Sequence, residues 1–178
     1  MSDTGVAGAV KAAPTTEPRV VMYPSATLRA VPSFLFAVPA GWAVDEAPDA
    51  LAVVRTPEQV DGFWVNAIIS HDRVAATVDL EGAAKATWAR ITRESPGAST
   101  SLERIARFGD NVVYLRGVEI NAPQSGRALA QLHALFFAPP IDGAKTKDFF
   151  QIIATCPGER MQGFGPVFVA LISSFQFA

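Results

Sequence analysis

The chain has 178 residues, of which 49% are hydrophobic and 18% are charged, and its net charge is −2. This composition excludes an intrinsically disordered chain and predicts a domain with a hydrophobic core. The small negative charge gives no basis for binding nucleic acid. The single cysteine, Cys156, excludes an internal disulfide and a cysteine-rich metal site. No apolar run reaches the ~20 residues of a transmembrane helix.

The first 18 residues are small and polar and contain two prolines. Such a segment buries too little apolar area to offset the cost of ordering, so we predict a disordered tail over residues 1–18 and a single domain over residues 19–178. The start of the chain carries no basic and apolar leader and no lipobox cysteine. A cytoplasmic location is therefore the default expectation.

The next elements alternate apolar and polar residues, as strands do. Val20–Val31 contains two short extended segments, and Phe34–Val38 predicts a strand that enters a turn at residues 39–41, with Trp42 starting the return strand. Further strands are predicted at Ala50–Arg55, Trp64–His71, Ser101–Phe108, Asn111–Ile120, Arg127–Phe137 and Asp148–Cys156.

Two segments have helical periodicity. Asp79–Glu94 predicts an amphipathic helix capped by Asp79, and a last helix is predicted with Pro166 in its first turn, after a loop over Gly163–Pro166. Consecutive strands joined by short turns predict an antiparallel sheet, and two amphipathic helices need an apolar sheet face to cover. The order therefore indicates an α+β layered fold.

The apolar strand that enters Pro-x-Gly-Trp at residues 39–42, the Asp79–Pro96 helix and the closing Phe168–Phe175 helix resemble the Mog1/PsbP-like superfamily. The chain is most similar to the LpqN/LpqT-like proteins of mycobacteria and their relatives. The resemblance covers about residues 34–178. It implies an α/β/α sandwich around a mainly antiparallel sheet, and a binding or assembly module without a shared catalytic centre.

Catalytic and metal signatures are weak. Ser70, His71 and Asp72 are consecutive, so on a strand His71 points away from the other two and the three cannot form a relay. No closely spaced ligand set predicts a metal, and no phosphate-binding or dinucleotide motif is complete, so we predict no cofactor and no enzymatic activity. Cys156 has no identifiable base beside it and is interpreted as structural.

The strand alternation gives one positive signal. Several strands have a face that mixes aromatic and hydrogen-bonding side chains, and we expect these faces to coincide in the sheet. The candidate ligand- or partner-binding residues on this mixed face are Trp64, Asn66, Tyr114, Arg116, Gln131 and His133. The competing interpretation is that the face packs beneath a helix or the Val20–Val31 segment.

These observations predict a non-enzymatic binding or scaffolding module that docks a protein partner or an apolar, lipid-like ligand on the mixed face. One alternative is a chaperone-like homodimer that holds an apolar segment of a secreted effector. Another is a hydrolase that uses His133 and an unidentified nucleophile.

Overall fold

The computed structural model describes residues 21–25, 28–122 and 125–178, so the predicted tail over residues 1–18 lies outside the described residues. The chain divides into two units, Met1–Ala30 and Val31–Ala178. In the described part of the first unit no strand forms. Its backbone turns instead, since the Ser25 amide donates to the Leu28 carbonyl at 2.7 Å and the Leu28 amide donates to Ser25 Oγ at 3.0 Å.

The second unit is built on a sheet of seven strands with the order β2-β3-β4-β8-β7-β6-β5, and every neighbouring pair is antiparallel. A separate two-stranded pair joins β1 to β9. The strands are β1 Phe34–Leu35, β2 Ala43–Asp45, β3 Ala52–Arg55, β4 Asn66–Ala75, β5 Ser99–Phe108, β6 Asn111–Asn121, β7 Ala128–Phe137, β8 Thr146–Pro157 and β9 Gln176–Phe177.

One helix packs on each face of the sheet. Helix α1 spans Leu80–Glu94, begins after its cap Asp79 as predicted, and packs its small residues Ala83 and Ala84 against β6, β7 and β8. Helix α2 spans Met161–Ser173 and follows a short 3-10 helix at Gly158–Arg160. The α+β sandwich predicted from the sequence is confirmed. Among the described residues, no helix has the length and apolarity needed to cross a membrane.

The main hydrophobic core lies between α2 and the sheet. Phe168, Leu171 and Ile172 of α2 are buried there with residues of β3, β4 and β6 to β8. Phe136 and Phe150, on neighbouring strands, stack with ring centroids 6.0 Å apart. The rings of Phe34 and Phe175 stack at 5.0 Å, so the segments before β2 and after α2 close the same core.

The structure differs from the sequence predictions at three of the chain's outer elements. Phe34–Leu35 pairs with β9 instead of forming a hairpin with the Trp42 strand, although the turn is present and the Trp42 amide donates to the Pro39 carbonyl at 3.0 Å. The short strand β9 was not predicted, because two residues after a helix carry no periodicity.

The third difference concerns α2, which begins at Met161 and so includes the residues predicted as the loop Gly163–Pro166. Pro166 is inside the helix and removes the amide that would bond to the Gln162 carbonyl. Both of these residues are exposed, so water can satisfy that carbonyl. Glycine and proline are poor helix formers, and the packing of the apolar residues against the sheet outweighs this propensity.

Strand β5 contains a bulge that makes one glycine necessary. Thr100 lies opposite Val118, and Leu102 lies opposite Gly117, so Ser101 is the extra residue. A Cβ atom on Gly117 would lie 2.6 Å from Ser101 Oγ and 3.1 Å from Leu102 Cβ. The bulged strand therefore approaches β6 closely only because position 117 has no side chain.

Candidate functional site

The register of the sheet places the mixed strand faces on one side, which we call the α1 face. Arg116 of β6 lies opposite His133 of β7, and Gln131 of β7 lies opposite Thr155 of β8. Thr155 in turn lies opposite Asn66 of β4. Tyr114 alternates with Arg116 and therefore shares this face.

Helix α1 covers one half of the α1 face. Tyr114, Arg116 and His133 are buried, with Arg116 and His133 only 7% and 2% exposed. The Arg116 guanidinium lies 4.7 Å from the ring centroid of Trp88 on α1. These three residues therefore pack beneath a helix, which is the competing interpretation given from the sequence, and the helix occupies the space that a docking partner would need.

His133 is held as a neutral imidazole. Its Nε2 donates to Gln131 Oε1 at 2.8 Å, and the Gln131 amide nitrogen donates to Thr155 Oγ1 at 3.2 Å. Its Nδ1 is buried and has no hydrogen-bond partner. Burial, and secondarily the positive charges of Arg116 and Arg90, lower the pKa of His133 to about 4. His133 bonds to the Gln131 amide and not to the Thr155 hydroxyl, so its hydrogen bond reaches no nucleophile that it could activate.

A second set of polar side chains, Glu103, Tyr114 and Arg116, connects β5 and β6. The Tyr114 hydroxyl donates to the Glu103 carboxylate, and Arg116 approaches the same carboxylate at 3.2 Å. Burial and then the bond to Glu103 raise the pKa of Tyr114 to about 12. The bond from Tyr114 lowers the pKa of Glu103. Both groups keep their ordinary charge state at neutral pH, as expected of a structural network.

The other half of the α1 face, over β3 and β4, is open and is called here the Trp64 strip. Trp64 is exposed, and the Arg55 guanidinium lies 4.5 Å from its ring centroid. Ile68 is also exposed, and Asn66 donates to the Trp64 carbonyl at 2.8 Å while its Oδ1 has no hydrogen-bond partner. Of the six predicted residues, Trp64 is exposed, Asn66 is half-buried with a buried Oδ1, and Gln131 is half-buried between the halves.

The serine–histidine–aspartate run does not form a relay. His71 points to the α2 side, where its Nε2 donates to Asp148 Oδ1 at 2.9 Å, and Arg73 Nε donates to the same oxygen at 3.0 Å. Asp72 instead accepts from Gln151 Nε2 at 3.4 Å, on the α1 face. The described residues contain no group of three potential metal ligands. Cys156 is fully buried, and burial raises the pKa of its thiol to about 11.

The sequence reasoning missed an open groove on the α2 face, which we call the α2 groove. It lies between the first turns of α2 and strands β5 to β7 and has a volume of about 750 Å³. Its walls and floor are largely apolar and include Leu102, Leu115, Leu132, Met161, Gly165 and Val169. Leu102 and the glycines at 163 and 165 can be seen in the sequence, but they indicate a groove only once α2 is known to begin at Met161.

Comparison with known proteins identifies the fold. No protein-family model matches the chain, and no curated protein has a matching sequence. Solved structures do match. LpqN of Mycobacterium tuberculosis, described as involved in cell envelope biogenesis, has a TM-score of 0.62 at 12% identity over 89% of this chain and 88% of that one.

Two further structures match at similar identity. The cyanobacterial PsbP of Synechocystis has a TM-score of 0.56 at 13% identity, over 82% of this chain and 86% of that one. The Ran-binding protein Mog1p of Saccharomyces cerevisiae has a TM-score of 0.52 at 14% identity, over 81% of this chain and 89% of that one. The chain has a Mog1/PsbP-like fold. The resemblance stated from the sequence motifs is therefore confirmed at the level of fold.

Proposed function

We propose that this protein with a Mog1/PsbP-like fold is a non-enzymatic binding module that holds an apolar, lipid-like ligand in the α2 groove. The observation that carries this proposal is the size and lining of the groove. Its volume of about 750 Å³ lies within the ~300–1,000 Å³ range of small-molecule sites. Leu115 and Leu132 form an apolar floor on which an acyl chain loses contact with water.

The composition of α2 supports this assignment. Gly165 lines the groove, and a Cβ atom at this position would come no closer than 3.8 Å to Met161 Sδ. The absence of a side chain there leaves room for a ligand and is not demanded by crowding. The charged residues Arg104, Glu119 and Glu159 stand at the groove and are exposed, so a polar headgroup could remain in water beside them.

Filling the groove tests the proposal. We expect Gly165→Leu to reduce the affinity for dansyl-labelled undecanoic acid at least tenfold, because the new side chain occupies the space of the ligand. Gly163→Leu is the matched control, since it lies on the same helix, outside the groove lining, and a Cβ atom there meets nothing within 4 Å. Fluorescence titration measures both variants. Equal affinity of the two variants, or no binding by the unchanged protein, contradicts the proposal.

The Trp64 strip supports a second candidate function, the docking of a protein partner. An exposed tryptophan with an arginine stacked on it is typical of residues that anchor interfaces. A photo-crosslinking amino acid at position 64 tests this candidate in the cells that make the protein. A discrete adduct at 64, and none at the exposed control position Ile141, would support docking. Equal labelling at both positions would contradict it.

The other expectations stay predictions. His133 hydrogen-bonds to the Gln131 amide, which is not a nucleophile, so this contact does not favour the hydrolase alternative. The chaperone-like alternative stays a prediction and requires a homodimer. The cytoplasmic location expected from the sequence also stays a prediction.

A further inference from the structure

Strand β5 ends the sheet, and no described strand pairs with its outer side. From Leu102 to Phe108 it pairs regularly with β6, after the bulge at Ser101. Its side chains include large apolar groups in water, with Ile105 65% exposed and Leu102 41% exposed. Edge strands offer free backbone donors and acceptors, and many proteins block them with charges, bulges or very short strands.

In one antiparallel alignment with a second copy of β5, charged residues of the strand face residues of opposite charge. A two-fold axis through Ile105 would place two copies of β5 antiparallel and keep like faces of the two sheets together. Glu103 would then lie opposite the partner subunit's Arg107, and Arg107 opposite the partner subunit's Glu103. Opposite charges at directly facing positions stabilise a strand pair.

Other alignments lack this complementarity. An axis through Glu103, Arg104 or Arg107 would place each of these charges opposite its own copy, which is destabilising. An axis through Ala106 forms no pair of opposite charges. An axis between two residues would place a residue of the α1 face opposite one of the α2 face, which the pleat of an antiparallel pair does not allow.

We propose that the protein self-associates through β5, centred on Ile105, to form a two-fold symmetric dimer with a continuous sheet. The regular stretch after the bulge supplies seven facing positions. Leu102 then faces the partner subunit's Phe108 on the α2 face. This contact lies beside the wall of the α2 groove that β5 provides. The partner's Phe108 thus extends the apolar wall of the groove, and this one consequence rests on the proposed ligand-binding function.

Sedimentation equilibrium tests the association. One strand pair buries little surface compared with the ~1,200 Å² or more of stable interfaces, so we expect the mean mass to rise from 18.9 kDa towards twice that value as concentration increases. Arg107→Glu should abolish the rise, because each dimer would contain two facing pairs of glutamates. Arg104→Glu is the control, because residue 104 would face the partner subunit's Ala106, and association should persist.

Mixing two variants sharpens this test. Glu103→Lys and Arg107→Glu should each be monomeric alone, whereas their equimolar mixture restores opposite charges at both facing pairs and should form a heterodimer. Circular dichroism checks that Glu103→Lys still folds after it loses its contacts with Tyr114 and Arg116. A constant mass of 18.9 kDa at every concentration of the unchanged protein would overturn the proposal.

A disulfide cross-link tests the register itself. Directly facing Cα atoms of an antiparallel pair lie ~4.5–5.5 Å apart, within the ~4.4–6.8 Å that a disulfide spans. A single cysteine faces its own copy only at the position on the two-fold axis. Ile105→Cys should therefore form a covalent dimer on mild oxidation, and Arg107→Cys should not, while the native Cys156 is buried and does not interfere. Dimers without the Ile105→Cys link would mean another interface and would overturn the proposal.

Ligand binding by the Arg107→Glu monomer separates the two proposals. If the partner's Phe108 contributes to the groove, this monomer should bind dansyl-labelled undecanoic acid several-fold more weakly than the dimer does. Equal affinity would remove Phe108 from the site and leave the association intact. Absence of probe binding in both forms would contradict the proposed function, while the mass and cross-link data would still decide the association.

Discussion

The two faces of the sheet bury different kinds of side chain. On the α2 face, phenylalanine rings and aliphatic side chains from five strands and one helix form the main core. On the α1 face, the helix covers Tyr114, Arg116 and His133, which are linked to their neighbours by hydrogen bonds. Apolar burial provides stability in proportion to area, whereas buried hydrogen bonds mainly avoid a penalty. The comparison indicates that stability resides mostly on the α2 side.

Replacing one buried residue on each face is the most direct test of this difference. Phe168→Ala leaves a cavity in the α2-side core and should lower the free energy of unfolding by about 3–5 kcal/mol. Arg116→Met should cost about 1–2 kcal/mol, since its Nε already lacks a partner and Tyr114 still donates to Glu103. Urea unfolding measures both values. An Arg116→Met loss that equals or exceeds the Phe168→Ala loss would reverse the comparison.

The pH dependence of stability tests the buried imidazole on the α1 face. The pKa of His133 is about 4 in the folded protein and 6.5 in the unfolded chain, so protonation favours unfolding. Its contribution is fully present above pH 6.5 and is lost as the pH falls to about 4, by about 3 kcal/mol in total.

His133→Gln removes this titration, and we expect its unfolding free energy to fall less than that of the unchanged protein between pH 7 and 4. The difference between the two proteins cancels the contributions of other groups that titrate over the same range. Parallel curves for the two proteins would mean that His133 titrates alike in both states.

The smallest expected effect concerns the cap of α1. The Asp79 carboxylate accepts a hydrogen bond from the Gly82 amide at 2.7 Å. Asp79→Ala should lower the free energy of unfolding by about 1 kcal/mol, and Asp79→Asn should preserve most of it, because asparagine also caps. Thermal unfolding of the two variants gives the comparison. A loss of several kcal/mol for Asp79→Ala would show that α1 contributes more to stability than its polar contacts suggest.

Local patterns account for most of what the sequence predicted. Helix α1 and its cap followed from 3.6-residue periodicity and from Asp79, and the long strands followed from alternation. The register of β6, β7, β8 and β4 brought Arg116, Gln131, His133 and Asn66 to one face, as the alternation implied once pairing was assumed. Periodicity predicts which residues share a face of a strand, because this depends only on the backbone.

What the sequence could not predict depends on contacts between distant residues. Alternation does not tell whether a face is open or lies beneath a helix, so the burial of Arg116 and His133 required the position of α1. The start of α2 was misjudged because local propensity around Pro166 opposes the packing of Phe168 and Leu171. The α2 groove depends on that start and on the β5 bulge, and so it was also missed.

The bulge and its glycine have a consequence for variation at this position. Any residue other than glycine at 117 would place its Cβ atom 2.6 Å from Ser101 Oγ and 3.1 Å from Leu102 Cβ, so the serine side chain would have to move and Leu102 to shift at the start of β5. Leu102 lines the groove and is also the first of the seven residues proposed to meet a second copy. A side chain at position 117 would therefore affect three features together. These are the pairing of β5 with β6, the width of the α2 groove and the alignment of the exposed β5 edge.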